Sequence, residues 1–170
     1  MAISGFVAVT ASREADFAAF YQQNIGSLSR TLAAALDDPQ VAQDAAQEAM
    51  ARACERWDKI ESYDNPVGWC YRVAMNWATS RWRKRKREVI TDIMPMPAAL
   101  DGPDFAVQDR LLIALRSLST DQRSVIVLRL VEDWSINETA EALGIKPGTV
   151  QSRYARALAR LREELGDFHD

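Results

Sequence analysis

Histidine and cysteine are nearly missing from this sequence, which argues against a metal centre or a disulfide-bonded fold. The single histidine, His169, lies in the C-terminal tail, and Cys54 and Cys70 are too few and too widely spaced for a metal-binding motif. We therefore expect no metal site and no cofactor. Both thiols are expected to behave as small buried hydrophobic groups.

Long apolar segments are missing as well. No run approaches the roughly 20 residues that span a bilayer, and the N-terminus lacks the positively charged segment of a signal peptide. We expect a cytoplasmic protein with no membrane insertion. Because 48% of the residues are hydrophobic and 26% are charged, the composition indicates a globular protein and excludes a disordered one.

Strand-like alternation is also absent, and apolar residues instead recur at spacings of three and four. Residues 88–108 contain three prolines, a glycine and four acids but no lysine or arginine, which is typical of a linker. The sequence therefore predicts an all-α fold of two small helical domains, residues 12–87 and 109–166, joined by this acidic linker, residues 88–108.

Local capping signals predict where the helices begin and end. We expect three helices in the N-terminal domain, the first beginning after an N-cap at Ser12 and ending at Leu36. The second and third each open on a capping residue followed by proline, Asp38-Pro39 and Asn65-Pro66. In the C-terminal domain, residues 106–118 should form a helix, and a second should start at a cap provided by Thr120 or Asp121.

Positive charge is scarce overall, since the formal net charge is −3, and this weakly disfavours a nucleic-acid-binding protein. The charge is segregated, however. Residues 81–87 read RWRKRKR and residues 145–162 hold five bases and no acid, whereas residues 37–64 hold eight acids against three bases. This segregation predicts separate surfaces that bind different partners.

The third helix carries aromatic, amide and cationic side chains at steps of three or four residues, so that they share one face. These residues are Trp69, Arg72, Asn76, Ser80, Arg83 and Arg87. Such a face suits single-stranded DNA, because bases stack on aromatic rings, amides read an exposed base edge and arginines follow the phosphates. In the alternative interpretation Trp69 and Trp77 are core residues and the arginines are merely solvated. We favour a core position for Trp77 and leave Trp69 open.

The second helix carries an unbroken polar and mostly acidic stripe formed by Gln40, Asp44, Gln47, Glu48, Arg52 and Glu55. Taken alone, this stripe predicts no more than the solvated face of an amphipathic helix.

Residues 135–161 have the pattern of a helix-turn-helix. Ile136, Ala140 and Leu143 share a helical face, Gly144 permits the positive φ of a tight turn, and Pro147 opens a second helix. The second helix directs one polar set outward, and arginine suits guanine while glutamine suits adenine in a major groove. That set is Thr149, Gln151, Ser152, Arg153 and Arg156. The alternative is an ordinary amphipathic helix with a solvated basic face.

The order of these motifs, DAAQEAMARACERW, then NPVGWCYRVAMNWATSRWRKRKR, then the acidic linker, then LRSLSTDQRSVIVLRLVEDWSINETAEALGIKPGTVQSRYARALARLRE, resembles the extracytoplasmic-function sigma factors of bacterial RNA polymerase. The resemblance covers about residues 14–165. It implies that the N-terminal domain corresponds to sigma region 2 and the C-terminal domain to sigma region 4. The implied function is that of an alternative sigma factor, which is not an enzyme and has no catalytic residues.

The resemblance also implies binding roles for the three polar surfaces. Asp44, Gln47, Glu48 and Arg52 would bind the β′ clamp helices of core polymerase, and region 4 would bind the β flap. The implied minus-10 contacts are Trp69, Arg72, Asn76, Ser80, Arg83, Lys84 and Arg87. Thr149, Gln151, Ser152, Arg153 and Arg156 would contact the minus-35 duplex. The partners are therefore RNA polymerase core, promoter DNA and an anti-sigma factor.

The sequence departs from the family pattern at three positions of the third helix. Ser80 stands where an acid is common, and Trp77 and Trp82 stand where aliphatic residues are usual, which could enlarge the core or alter the minus-10 pocket. Two other functions remain open. One is a helix-turn-helix regulator that binds duplex operators by itself and has an N-terminal dimerisation domain, and the other is a helical adaptor that binds only proteins.

Overall fold

The structure is a computed structural model that describes the backbone of residues 2–88 and 113–166, with side chains described for 13–84 and 113–166. All regular secondary structure in these ranges is helical, as predicted. The helices are α1 (Ala2–Leu36), α2 (Pro39–Glu55), α3 (Trp57–Ile60), α4 (Pro66–Glu88), α5 (Thr120–Leu130), α6 (Ile136–Leu143) and α7 (Pro147–Gly166). Residues 113–116 are helical as well. The predicted linker lies outside the described residues, except for Glu88, which ends α4.

The start of α1 differs from the prediction. The helix begins at Ala2, so the predicted N-cap at Ser12 is wrong. Between these residues Gly5 has the poorest helix propensity, and a serine inside a helix is tolerated at a small energetic cost. An acceptable capping residue is therefore not enough to define a helix start when the preceding residues can also be helical.

The connection from α1 to α2 follows the sequence signals closely. Asp37 takes a left-handed conformation with φ 55°, which ends α1. The Asp38 side chain accepts a hydrogen bond of 3.0 Å from the Val41 backbone N–H, and Pro39 occupies the first turn of α2. The same cap opens α4, where Asn65 Oδ1 accepts from the Gly68 N–H at 2.7 Å.

The N-terminal half packs α1, α2 and α4 around a core in which small residues face large ones. Five alanines of α2 are fully buried, and this lets the neighbouring helices approach closely: Ala42, Ala45, Ala46, Ala49 and Ala53. Leu32 from α1 and Tyr71 from α4 fill the space beside them. The short helix α3, which the sequence did not predict, places the Trp57 ring 4.7 Å from that of Phe20.

The two cysteines behave differently from each other. Cys70 is buried in the core, as expected, but Cys54 is exposed, so its predicted burial is wrong. Cys54 lies next to the buried Ala53 near the end of α2, where its own side chain faces outward.

The caps of the C-terminal helices are capping boxes. The Ser119 side chain accepts from the Gln122 N–H, and the Gln122 side chain accepts in return from the Ser119 N–H. Ser119 therefore caps α5, and the predicted cap at Thr120 or Asp121 is wrong. Ser135 and Glu138 form the equivalent box at the start of α6.

Helix α5 is enclosed on all sides, with every residue from Arg123 to Leu128 buried. Val125 packs with Ala140 and Val150 of the helix-turn-helix, and Ile126 packs against a second cluster near the end of α7. Leu128 belongs instead to the core of the N-terminal half. The two halves therefore share a core and pack α1 against α5 and α4 against α6, which the sequence did not predict.

Candidate nucleic-acid and protein interfaces

The polar face predicted on α4 is present and mostly accessible. Arg72, Asn76 and Ser80 are exposed, and so are Arg83 and Lys84, while the Arg87 side chain lies outside the described residues. Trp69 lies at the edge of this face, where its indole is half-buried and packs against the N-terminal core. In the described part of the chain the Asn76 amide makes no hydrogen bond, so its donors and acceptor are free to bind a ligand.

The other two tryptophans of α4 have different environments. Trp77 is half-buried and packs against the core, as favoured, and its ring lies under the Arg81 guanidinium at 5.0 Å. Trp82 is 36% exposed, so it does not enlarge the core. Arg81 also reaches Asp44 of α2, with an N–O distance of 3.6 Å. This arginine connects the basic end of α4 to the acidic stripe, a contact that the sequence analysis missed because the residues are far apart in the chain.

The predicted stripe on α2 lies on an accessible helix face and is held by its neighbours. The Arg52 guanidinium pairs with Glu48 at 2.7 Å, and the Gln40 amide donates to Asp44 at 3.2 Å. At one edge the Tyr21 hydroxyl of α1 lies 3.1 Å from the Gln47 amide nitrogen. The Asp44 and Glu48 side chains are 38% and 37% exposed, enough to contact a partner. The stripe is thus a preformed acidic and amide surface rather than a set of freely moving side chains.

The helix-turn-helix has the geometry expected from its sequence. Gly144 ends α6 with φ 65°, a left-handed conformation that glycine adopts without strain. Val150 is fully buried, and it packs with Ile145 and Ala140 between the two helices. These contacts fix the angle at which α7 presents its outer face.

The five residues predicted on the outer face of α7 are not equally available. Gln151 and Arg156 are exposed, whereas Thr149, Ser152 and Arg153 are half-buried. The Arg153 guanidinium forms an ion pair of 2.6 Å with Asp121 of α5. Gln151 and Arg156 are therefore the residues best placed to reach a base edge, while Arg153 is oriented by a carboxylate within its own half.

The α4 face and the helix-turn-helix come together at the turn between α6 and α7. A Cβ built on Gly144 would lie 3.3 Å from Arg72 Nε. One residue of the predicted minus-10 face therefore packs over the turn glycine of the predicted minus-35 motif, and any larger residue at Gly144 would push against it. No local sequence pattern indicated this contact.

Within residues 2–88 and 113–166, none of the helices has the length and hydrophobicity of a membrane-spanning segment. The same ranges hold no group of three or more histidine, cysteine or acidic side chains that could bind a metal ion.

Comparison with known proteins gives a consistent family assignment. Family models described as Sigma-70 region 2 and Sigma-70, region 4 match residues 20–88 and 108–161. The RNA polymerase sigma-E factor of Streptomyces coelicolor is 41% identical over 152 residues, which cover 88% of this chain and 86% of that protein. The ECF RNA polymerase sigma factor SigW of Bacillus subtilis is 30% identical and covers 91% of this chain and 89% of its own length.

A solved structure shows the same architecture. The sigma factor RpoE of Bartonella quintana, in a co-crystal with the anti-sigma factor NepR, superposes with a TM-score of 0.72 at 29% identity. The superposition covers 89% of this chain and 97% of RpoE, so both helical halves are included. The chain belongs to the sigma-70 family, in its extracytoplasmic-function group, and is an alternative sigma factor that directs promoter-specific transcription.

Proposed function

We propose that this sigma factor reads the minus-35 element as duplex DNA with α7 and holds a single strand of the minus-10 element on the exposed face of α4. The observation that carries the proposal is that one chain presents two DNA-binding surfaces of different chemistry. The α7 surface belongs to a helix-turn-helix and exposes a glutamine and an arginine. The α4 surface combines an exposed asparagine amide with cationic side chains and a half-buried tryptophan ring.

The α4 face would act by binding the open form of the promoter. Unstacking a base costs a few kcal/mol, and this cost is offset when the flipped base is held in a pocket. The Asn76 amide can donate to and accept from a base edge, Trp69 offers a flat apolar surface nearby, and Arg72, Arg83 and Lys84 can follow the phosphates. Melting is then driven by preferential binding to the separated strand and needs no catalytic group, so the protein functions by binding alone.

The α7 face would act on the closed duplex. Gln151 can pair with an adenine edge and Arg156 with a guanine edge or a phosphate. Three other residues on this face of α7 are half-buried: Thr149, Ser152 and Arg153. Asp121 would restrict the Arg153 guanidinium to one orientation, which favours a defined contact over a general attraction to phosphate.

The α2 stripe would bind core polymerase. The patch holds the carboxylates of Asp44 and Glu48, the amide of Gln47 and one guanidinium, that of Arg52, so it is net negative. Such a patch is complementary to a basic partner surface, and we propose that the β′ clamp helices provide it. The β flap would bind the C-terminal half. The protein would work in the cytoplasm, where polymerase is found.

An anti-sigma factor is a further proposed partner. RpoE of Bartonella quintana was solved with one, and RpoE superposes on both halves of this chain. A protein that binds across both halves could keep the α2 stripe from polymerase.

Two assays with purified protein test this proposal against a stand-alone regulator. With core polymerase, the chain should give transcripts from promoters selected from a random library, and alone it should not protect a palindromic operator. Operator protection without any core-dependent transcript would support the regulator instead. A protein-only adaptor is excluded if Arg156→Ala weakens binding of the holoenzyme to a minus-35 duplex while Arg13→Ala, which removes an α1 cation paired with Asp58, does not.

A further inference from the structure

We infer that Trp82 is a further nucleic-acid contact on α4, and that its indole stacks on a base of the separated minus-10 strand about three nucleotides from the base at Asn76. Trp82 is not among the minus-10 contacts proposed above. Its role rests on the proposed function, because it extends the strand-binding surface of α4 beyond the face around Asn76.

Trp82 is the one exposed tryptophan of this chain. All five tryptophans have described side chains, and Trp57 is buried whereas Trp69, Trp77 and Trp134 are half-buried. Trp82 is 36% exposed, so part of its ring surface is accessible. Covering such a ring is favourable, and a flat aromatic partner covers it best by offset stacking.

The residues around Trp82 suit the sugar-phosphate backbone of a strand. Trp82 stands in the run RWRKRKR, in which the other six residues are cationic, and the sequence holds no acid between positions 66 and 87. Arg83 and Lys84 are exposed. Proteins that bind single strands combine cations that follow the phosphates with aromatic rings that stack on bases. The charge around Trp82 therefore favours a nucleic-acid strand as the occupant over a protein surface.

The cation that precedes Trp82 in the chain is engaged elsewhere. The Arg81 guanidinium lies over the Trp77 ring, 5.0 Å from its centroid, and 3.6 Å from the Asp44 carboxylate of α2. Successive residues of a helix point about 100° apart, so Arg81 is held on the side of α2 while Trp82 points away from it. The Trp82 ring is thus left open by this arginine.

Asn76, Thr79 and Trp82 form an exposed row along α4 at steps of three residues. Residues three apart on a helix have Cβ atoms about 5–6 Å apart, and rows of this spacing form continuous ridges. The row therefore runs about 11 Å from Asn76 to Trp82, which matches about three nucleotides at 3.4 Å each. Thr79 is small, and its hydroxyl donates to the Met75 carbonyl at 2.8 Å, so it stays close to the helix. A strand that leaves Asn76 along this row reaches Trp82 without meeting a bulky side chain.

The test measures binding of the reconstituted holoenzyme to a promoter fragment, selected with the wild type, in which one minus-10 strand is single-stranded. Trp82→Leu removes the ring but keeps an apolar side chain, and Trp82→Phe keeps a ring. The Kd of the Trp82→Leu holoenzyme should rise about 5- to 100-fold, the effect of losing one stacked base. Trp82→Phe should recover most of this loss.

Leu165→Ala is the matched control. Leu165 is 37% exposed, much as Trp82 is, but it lies near the end of α7 in the other half of the chain. Its Kd for the same fragment should stay within about twofold of the wild type, as is usual for surface substitutions.

A scan with abasic nucleotides locates the stacked base. One base at a time is removed from the single strand, and wild-type and variant holoenzymes are titrated with each fragment. At the position that Trp82 contacts, the wild type should lose its advantage over Trp82→Leu, because no base remains to stack. At the other positions the advantage should persist. The same scan with Asn76→Ala locates the base at Asn76, and the two positions should lie about three nucleotides apart.

The inference is overturned if Trp82→Leu binds the intact fragment as tightly as the wild type does, or if its loss is the same at every abasic position. A loss of affinity for core polymerase in place of DNA would assign Trp82 to a protein contact and would overturn the inference as well. Thermal unfolding shows whether the variants are folded. Photocross-linking of a 5-iodouracil base at the predicted position needs only the wild type, and a cross-link that does not involve Trp82 would contradict the stacking.

The two proposals fail in different ways. If Asn76→Ala weakens binding of the single strand and Trp82→Leu does not, only the role of Trp82 is refuted. If the wild-type holoenzyme binds the single-stranded fragment no better than the matching duplex, the proposed function of the α4 face is refuted.

Discussion

Reversing one charge on the α2 stripe, Asp44→Lys, should weaken binding to core polymerase far more than it destabilises the protein. In the free protein Asp44 pairs with Arg81 at 3.6 Å, where two charges in a water-like medium interact by about 1 kcal/mol. Exposed pairs contribute about 0.2–1 kcal/mol, and the added repulsion between the introduced lysine and Arg81 is of similar size. The free energy of unfolding should therefore fall by no more than about 2 kcal/mol.

Binding should respond more strongly because a lysine would face a basic partner. Like charges brought together at an interface cost several kcal/mol, and even about 2 kcal/mol corresponds to a roughly thirtyfold increase in Kd. The assay is titration of labelled sigma factor with core polymerase at two salt concentrations. The difference between variant and wild type should shrink at the higher salt, since screening weakens charge interactions.

Asp58→Lys is the matched control for this prediction. It makes the same change in net charge and also breaks an exposed ion pair, that with Arg13, but it lies in α3 and outside the stripe. Its Kd should stay within about twofold of the wild type, because a distant exposed charge acts only through a screened field. If Asp44→Lys binds core as tightly as Asp58→Lys does, the stripe is not the polymerase-binding surface.

Three further predictions concern the fold. Leu32→Ala should lower the free energy of unfolding by about 2–5 kcal/mol, because Leu32 is fully buried; a loss below about 1 kcal/mol in urea unfolding would contradict the packing. Hydrogen bonds from the hydroxyl and the backbone N–H of Ser135 lower the pKa of Glu138. The stabilisation that the Glu138 side chain gives to the start of α6 should be complete above about pH 4.3 and should be lost as the pH falls through the lower pKa of Glu138 in the native state. An ordinary pKa of Glu138, measured by NMR, would refute the capping box. Finally, iodoacetamide at pH 8 should modify Cys54 in the folded protein and Cys70 only after unfolding, since burial raises the pKa of Cys70 to about 12; equal rates would show that Cys70 is accessible.

The sequence predicted those parts of the fold that are determined locally. Asp38-Pro39 and Asn65-Pro66 mark helix starts because a side-chain acceptor and a missing N–H act within one turn. Gly144 marks the helix-turn-helix because its left-handed conformation is a property of one residue. Two predicted N-caps were wrong because neighbouring residues gave a competing local signal. Helix α1 begins before Ser12, and α5 is capped by Ser119 rather than by Thr120 or Asp121.

Contacts between distant segments were not predictable in this way. Nothing near Glu132 indicates Thr31 as its partner, and nothing near Arg153 indicates Asp121. The apolar run from Val125 to Leu128 was the one available sign, since a helix that is apolar on all faces is buried on all faces. The same distinction holds for the candidate interfaces. The sequence predicted which residues share each helix face, whereas the exposure and the ion pairs of these residues depend on packing between distant segments.

Capture of the separated strand by the α4 face is tested most directly by permanganate footprinting of a promoter bound by polymerase that carries wild-type or Asn76→Ala protein. Permanganate oxidises unpaired thymines and so reports melting at the minus-10 element. We predict that the Asn76→Ala holoenzyme still protects the minus-35 duplex, because α7 is unchanged, but that thymine reactivity at minus-10 is lost. Normal reactivity with the Asn76→Ala protein would contradict the claim that the α4 face captures the separated strand.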